Sequence, residues 1–165
     1  MRESAIEIVL VGLAGVVALL AFASLLPRCS GGGSGSSRAV VHASWTLTPG
    51  VLNPAVTQAT IRSTICRSGF TRTIRPPVGY TNGLKLKGLV AYHLRGPPSA
   101  YQEDHLISLE LGGNADDPRN LWPEPYPRAS AVDRIENELN AKICSGQLTL
   151  EQAQAKESAL KHRDG

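Results

Sequence analysis

The sequence predicts a mixed α+β domain. In the C-terminal third, apolar residues recur at spacings of three and four, which is typical of one buried helical face: Val132, Ile135, Leu139 and Ile143. Between Trp45 and Arg95, by contrast, short apolar runs are broken by Pro, Gly and Asn, which favours short strands, turns and little helix.

Two helices are predicted in the C-terminal part. The first covers residues 129–144, with Ser130 as its cap and Asp133 three residues on as the acidic partner. The second covers residues 150–160.

Fewer helices and strands are predicted between Trp45 and Arg95. Residues 54–65 are predicted to form an extra N-terminal helix, with Asn53 as its cap and Pro54 in its first turn. Residues 89–93 are predicted to form a short strand, and Thr81-Asn82-Gly83 a turn.

An apolar segment begins the chain. Residues 8–26 contain no charge, and a helix of that length rises roughly 28 Å, about the thickness of the bilayer hydrocarbon. The sequence therefore predicts a signal anchor or a signal peptide in residues 1–28, cleavage at Ala21-Phe22-Ala23 being the alternative. Residues 30–37 are all Gly or Ser, so residues 29–40 are predicted to be a flexible linker and residues 41–165 the folded domain.

Flanking charge and cysteines point to different compartments. Before the apolar segment, Arg2 is offset by Glu3 and Glu7, whereas Arg28 and Arg38 follow the segment. The positive-inside rule alone would therefore place the domain in the cytoplasm. Cys66 and Cys144 are the two cysteines of the domain, and a disulfide between them would persist in an oxidising compartment. The alternative is two separate buried thiols. We expect an extracytoplasmic domain, held at the cell membrane or secreted if the leader is cleaved.

Charge is unevenly distributed. From Arg38 to Gln102 there are eight basic residues and no Asp or Glu. Such a segment suits a nucleic acid partner, because phosphate contacts supply affinity. The candidate backbone contacts are Arg67, Arg72, Arg75, Lys85 and Lys87. The alternatives are that this basic half balances the acidic half, or lies near anionic lipid headgroups.

One ordered set of residues has side chains that are suited to catalysis and metal binding. It comprises Asp104-His105-Leu106-Ile107, then Gly112-Gly113, then Asn120-Leu121-Trp122-Pro123. A histidine suits a general base near neutral pH, and a carboxylate suits a Mg²⁺-type ion. Neighbouring strand residues point to opposite faces, so Asp104 and His105 can share a site only where the strand ends or twists.

This set resembles the core of HNH endonucleases, and the likeness extends over most of residues 45–155. The resemblance implies a ββα-metal core, His105 as general base, Asp104 as metal ligand, and Asn120 as the residue that braces the loop or orients the histidine. It implies a divalent metal, Mg²⁺ first, with Mn²⁺, Ca²⁺ or Zn²⁺ as alternatives, and no small-molecule cofactor. Ser108 stands where the family often has Pro.

The last metal ligand of the family lies on the helix, where this chain has no histidine. Asp133 and Asn137 are four residues apart on one helical face, so either is a candidate. Their structural alternatives are a capping carboxylate and a solvated amide. Asn120 could likewise be a turn residue, and Gly112-Gly113 a simple connection.

The resulting hypothesis is a metal-dependent endonuclease that hydrolyses phosphodiester bonds, of DNA more than RNA. One alternative is a catalytically silent HNH-like module that binds or supports other molecules at the cell surface. A second is a hydrolase of another phosphate ester, which would need a closed pocket.

Overall fold

The structure is a computed structural model that describes residues 40–163. These residues belong to one compact unit, Arg38–Gly165. The elements, in chain order, are α1 (Phe70–Ile74), α2 (Val78–Ala91), β1 (Tyr101–His105), β2 (Leu121–Pro125), α3 (Arg128–Cys144) and α4 (Leu150–Arg163). The predicted α+β class is confirmed. The predicted N-terminal apolar helix and the Gly/Ser linker lie outside the described residues.

Strands β1 and β2 form an antiparallel hairpin in which Asp104 pairs with Trp122 and His105 with Leu121. The loop between the strands, residues 106–120, folds back tightly. A Cβ atom on Gly113 would lie 1.7 Å from the carbonyl oxygen of Ile107, so only glycine fits there. The glycine pair in the motif therefore permits this close return of the chain.

The hairpin lies between helices. Helix α2 covers one face of it, because Gly88 approaches Pro123 so closely that a Cβ atom would lie 2.8 Å from the proline ring. Glu103 pairs with Pro123 across the strands, so Glu103 lies on the α2 face. His105 is the last residue of β1, and its imidazole interacts electrostatically with Asp104 and Lys161. The opposite face, which carries Asp104, is covered by α3 and α4.

Two groups of buried apolar side chains form the core. The larger joins the segment before α1 to the motif loop, α3 and α4, and includes Leu111, Leu139, Ile143 and Ala153. The smaller surrounds Trp122. Of the predicted stripe on α3, Ile135 is 36% exposed, so it lies at the edge of that buried face.

Both C-terminal helices are confirmed, with small changes at their ends. Ser130 was wrongly predicted as the cap of α3. The helix begins at Arg128, with Pro127 before it and no side-chain cap, so Ser130 lies within the first turn. Asp133 is consequently not the acidic member of a capping pair.

The helix predicted at residues 54–65 is wrong, because this segment contains turns and one short 3-10 helix, Ile61–Ser63. Its polar side chains bond to the local backbone instead. Asn53 Oδ1 accepts from Ala55 N at 3.0 Å, and Thr60 Oγ1 donates to Ala55 O at 2.8 Å. Such bonds compete with the helical pattern.

The strand predicted at residues 89–93 and the turn at residues 81–83 are also wrong, because α2 runs through both as far as Ala91. Local sequence disfavours this helix, since Gly79, Gly83 and Gly88 all lie within it. Tertiary packing stabilises the helix despite these glycines. Leu89 is buried, and Gly88 permits the close contact with the sheet.

Cys66 and Cys144 form a disulfide, with their Cα atoms 5.6 Å apart. The bridge joins the segment before α1 to the end of α3, and it spans 78 residues of sequence. It therefore holds together two elements on either side of the motif.

Among residues 40–163, the helices are too short or too polar for any of them to cross a lipid bilayer.

Candidate metal site

Asp104 lies in a buried ionic cluster centred on Lys161 of α4, whose side chain is fully buried. The Lys161 Nζ atom donates to Asp104 Oδ2 and to Glu136 Oε1, each at 2.7 Å, and to the carbonyl oxygen of His105 at 2.5 Å. Glu157 Oε1 lies 3.4 Å from the same nitrogen. One ammonium thus connects the end of β1 with α3 and α4.

Glu157 and a further glutamate, Glu124, connect this cluster to the motif loop and to β2. Both carboxylate oxygens of Glu157 accept from the backbone nitrogen of Ser108, each at 3.0 Å, so α4 also holds the motif loop. Glu124 of β2 pairs with Arg128, whose other terminal nitrogen donates to Leu160 O at 3.1 Å. The sequence analysis missed the cluster, because Lys161 and Asp104 are 57 residues apart.

The pKa values show how charge is distributed in the cluster. Burial alone would lower the pKa of Lys161, but the surrounding carboxylates raise it well above its usual value. Burial opposes ionisation of Asp104, yet Lys161 holds the pKa of Asp104 below its usual value. Burial raises the pKa of Glu136, Glu157 and Glu124, that of Glu124 to about 8. The cluster therefore favours the charged forms of Lys161 and Asp104.

Three carboxylates, two of which pair with Lys161, form a set that suits a metal ion. One oxygen each of Asp104, Asp133 and Glu136 lie within 4.8 Å of one another. Hard oxygen ligands of this kind fit Mg²⁺ or a similar cation. Lys161 already binds Asp104 and Glu136, so an ion would share these carboxylates with the ammonium.

Sequence analysis named two members of this set, Asp104 and Asp133, and missed Glu136. The available signal was the three-residue spacing between Asp133 and Glu136, which places both on one side of α3. Asn137 has a different environment. Its amide donates to the Asp133 carbonyl oxygen at 2.7 Å, and it lines a cavity of about 330 Å³ that also contains Cys66.

His105 ends β1 and is 6% exposed. Its Nε2 atom lies 3.1 Å from the carbonyl oxygen of Ala115, which suits an Nε2–H donor and leaves Nδ1 as the basic atom. Burial, with the positive charges of Lys161 and Arg75, lowers the pKa of His105 despite the opposing effect of Asp104 and Ala115. The imidazole is therefore neutral at neutral pH, the form that a general base requires.

Asn120 is fully buried and braces the motif loop. Its Oδ1 accepts from Ile107 N at 3.0 Å and Val51 N at 3.3 Å, and its Nδ2 donates to Ile107 O at 3.0 Å and Asn114 O at 2.8 Å. The amide, at the end of the loop, thus bonds backbone at its start and in its middle. It acts as a positioning residue.

The predicted phosphate contacts lie in two parts of the chain, around α1 and on α2. Arg67 and Arg72 line a cavity of about 220 Å³ beside α1. Of these five residues, Arg75 is the one whose charge acts on His105: it lowers the pKa of His105 and opposes the burial that raises the pKa of Glu110. On α2, Lys85 Nζ donates to Tyr101 O at 3.4 Å, and Lys87 is exposed.

Glu103 gives the stability of the domain a predicted dependence on pH. Burial raises its pKa from 4.5 to about 8, with Asp104 adding to the rise and Lys85 opposing it. Between these values the folded chain binds more protons than the unfolded chain, so the free energy of unfolding should fall as pH rises, by at most about 1.4 kcal/mol per pH unit from this residue. Urea unfolding from pH 5 to 9 measures it.

The Glu103→Gln variant should flatten that profile, and Glu124 should account for part of the remaining slope. Glu138→Gln, at an exposed position on α3, is the matched control and should retain the original slope. Equal slopes for both variants would contradict the assignment to Glu103.

No protein-family model, curated protein or solved structure matches this chain. Its function is therefore inferred from the side chains themselves.

Proposed function

We propose that the domain is a metal-dependent endonuclease of the HNH-like, ββα-metal type. The observation that carries this proposal is the carboxylate set of Asp104, Asp133 and Glu136, with His105 next to Asp104 at the end of β1. The order of strand, loop, strand and helix agrees with it, because the hairpin and α3 each contribute to the set.

The residues divide the chemistry of phosphodiester hydrolysis between them. Asp104, Asp133 and Glu136 would hold a divalent cation, Mg²⁺ first and Mn²⁺, Ca²⁺ or Zn²⁺ as alternatives, which would offset charge on the phosphate and the leaving oxygen. His105 Nδ1 accepts the proton of the attacking water. Asn120 keeps the loop that carries Ala115 in place, and through it the imidazole.

The proposed substrate is nucleic acid, DNA more than RNA. Phosphate contacts close to the reaction would come from Arg75, with Lys85 and Lys87 further along α2. The proposed location is extracytoplasmic, at the membrane or secreted, and the Cys66–Cys144 bridge supports it because disulfides persist in oxidising compartments.

Cleavage of plasmid and single-stranded DNA by the full chain tests this proposal. We expect cutting with Mg²⁺ or Mn²⁺ and none with EDTA. His105→Ala should cut at least about 100-fold more slowly, the usual contribution of a general base. His42→Ala, at an exposed histidine, should cut like the wild type.

A second candidate is the catalytically silent binding or structural module, and one observation favours it. The Lys161 ammonium already supplies positive charge to Asp104 and Glu136, so the carboxylates are stable without an ion. This candidate predicts a folded, disulfide-intact chain that cuts no DNA under any metal, and whose melting temperature is unchanged by Mg²⁺ or Mn²⁺. Metal-dependent cutting would exclude it.

A further inference from the structure

Exposed apolar side chains gather near the start of the described chain. Trp45 and Leu47 lie on a turn at residues 44–48, and Leu86 and Val90 lie four residues apart near the end of α2. Their exposed fractions run from 43 to 75%. Leu47 shares the wall of one cavity with Lys87, so the turn lies against the last turns of α2. We call the four apolar residues the apolar patch.

The turn that carries Trp45 is held in place by other side chains. The hydroxyl oxygen of Tyr92, the residue after α2, accepts from Ser44 N at 3.0 Å and pairs with the Thr48 hydroxyl at 2.7 Å. The Trp45 ring stacks on His162 of α4, with the ring centres 3.6 Å apart and the planes at 7°. Little conformational entropy is therefore lost when another surface covers the turn.

The charge that the turn and α2 bring to the patch is positive. Neither of these two segments contains an acidic residue, and Lys87 is exposed. Tryptophan is enriched at the boundary between lipid and water, and apolar area combined with lysine binds anionic headgroups. A nucleic acid backbone would satisfy the lysine but not the apolar side chains. The chemistry of the patch therefore fits an anionic lipid surface.

The sequence before the patch limits its distance from a membrane. The predicted anchor ends before residue 29, its uncharged run at residue 26, and residues 27–39 lead to Val40. A segment of this length that is rich in Gly and Ser reaches about 20 Å. A domain tethered so closely meets the bilayer at a high effective concentration, so even a weak contact forms.

We propose that the apolar patch rests on the anionic surface of the membrane, with Trp45 in the interface and Lys87 paired with lipid phosphate. This inference rests on the proposed membrane location and is independent of the nuclease chemistry. Helix α2 is about 20 Å long, so Arg75, which precedes its first residue, is left for nucleic acid.

Quenching of tryptophan fluorescence by brominated lipid tests the contact in the full chain. The chain has two tryptophans, and Trp122 is fully buried, so Trp45 is the one that lipid can reach. In vesicles of phosphatidylglycerol and phosphatidylcholine, bromine on the upper acyl chain should quench the wild type strongly and Trp45→Phe hardly at all. Flotation of the same vesicles measures separately whether the chain is membrane-bound.

Two charge changes should release the patch while the chain still floats with the vesicles. Val90→Glu should lower the ratio of docked to undocked domain, read from the quenched fraction, at least about 10-fold, the effect of one buried apolar side chain. Lys87→Gln should lower it about 5-fold in the mixed vesicles and leave it unchanged in phosphatidylcholine alone. Val78→Glu, at an exposed position at the start of α2, is the matched control and should be quenched like the wild type.

The contact and the membrane location can fail separately. A chain that floats with the vesicles but whose Trp45 is not quenched rejects the contact and keeps the location, whereas a chain that does not float rejects both. Equal quenching of the wild type, Val90→Glu and Lys87→Gln also overturns the proposal, because Trp45 then meets lipid without the patch. An unquenched Trp45 together with a dimer in detergent that Val90→Glu dissociates would assign the patch to a second copy of the chain.

Discussion

Replacing Lys161 by Met is expected to lower the free energy of unfolding by about 3 to 5 kcal/mol, the usual cost of removing one partner from a buried ion pair. The ammonium contacts Asp104, Glu136 and the backbone of His105, and these groups have little access to water. Urea unfolding at pH 7 measures the loss. Lys156→Met, on the exposed side of the same helix, should change stability by less than about 0.5 kcal/mol.

Acid should reduce the difference between the Lys161 variant and the wild type, because protonated carboxyl groups no longer need the ammonium. A Lys161→Met chain as stable as the wild type at pH 7 would show that the cluster is neutral in the folded protein. The variant also tests the carboxylate set. If Lys161 acts as an internal substitute for a metal ion, Mn²⁺ should raise the melting temperature of the variant more than that of the wild type.

Loss of the Cys66–Cys144 bridge is expected to lower the free energy of unfolding by about 4 to 5 kcal/mol, since the bridge closes a loop of nearly eighty residues. The double variant Cys66→Ser, Cys144→Ser should show this loss in urea unfolding, and the wild type should approach it in dithiothreitol. Cys29→Ser removes the third cysteine and is the matched control. Equal stability with and without dithiothreitol would contradict the prediction.

The elements that could be predicted are those in which local pattern and packing agree. On α3, the spacing of Val132, Leu139 and Ile143 reflects the face that is buried, so the helix was found within one residue of its start. Helix α2 could not be found this way. Its three glycines and Asn82 favour a turn locally, and its stability comes from contacts with strands that follow it in the chain.

In the candidate site, too, residues in a local motif could be predicted and residues brought in by long-range packing could not. Asp104, His105 and Asn120 are recognisable because they stand in a short ordered motif. Lys161, by contrast, lies in a helix whose sequence alternates polar and small residues, where a lysine is normally solvated. Glu157, four residues earlier on the same helix, is a local partner, but Asp104 and Glu136 come from β1 and α3, and no local pattern indicates that they meet Lys161.

The dependence of the motif loop on α4 means that the hairpin and α3 are not a portable unit. A fragment of residues 101–144 would contain the whole recognisable motif, yet it would lack Glu157, which holds Ser108, and Lys161, which neutralises Asp104. Lys161 also accepts, through its backbone carbonyl, from Ala43 N at 2.9 Å, so the two sequence ends of the described chain meet behind the site. Transplanting the motif into another scaffold would therefore transfer its sequence without the charged side chains of α4 that hold the loop and neutralise Asp104.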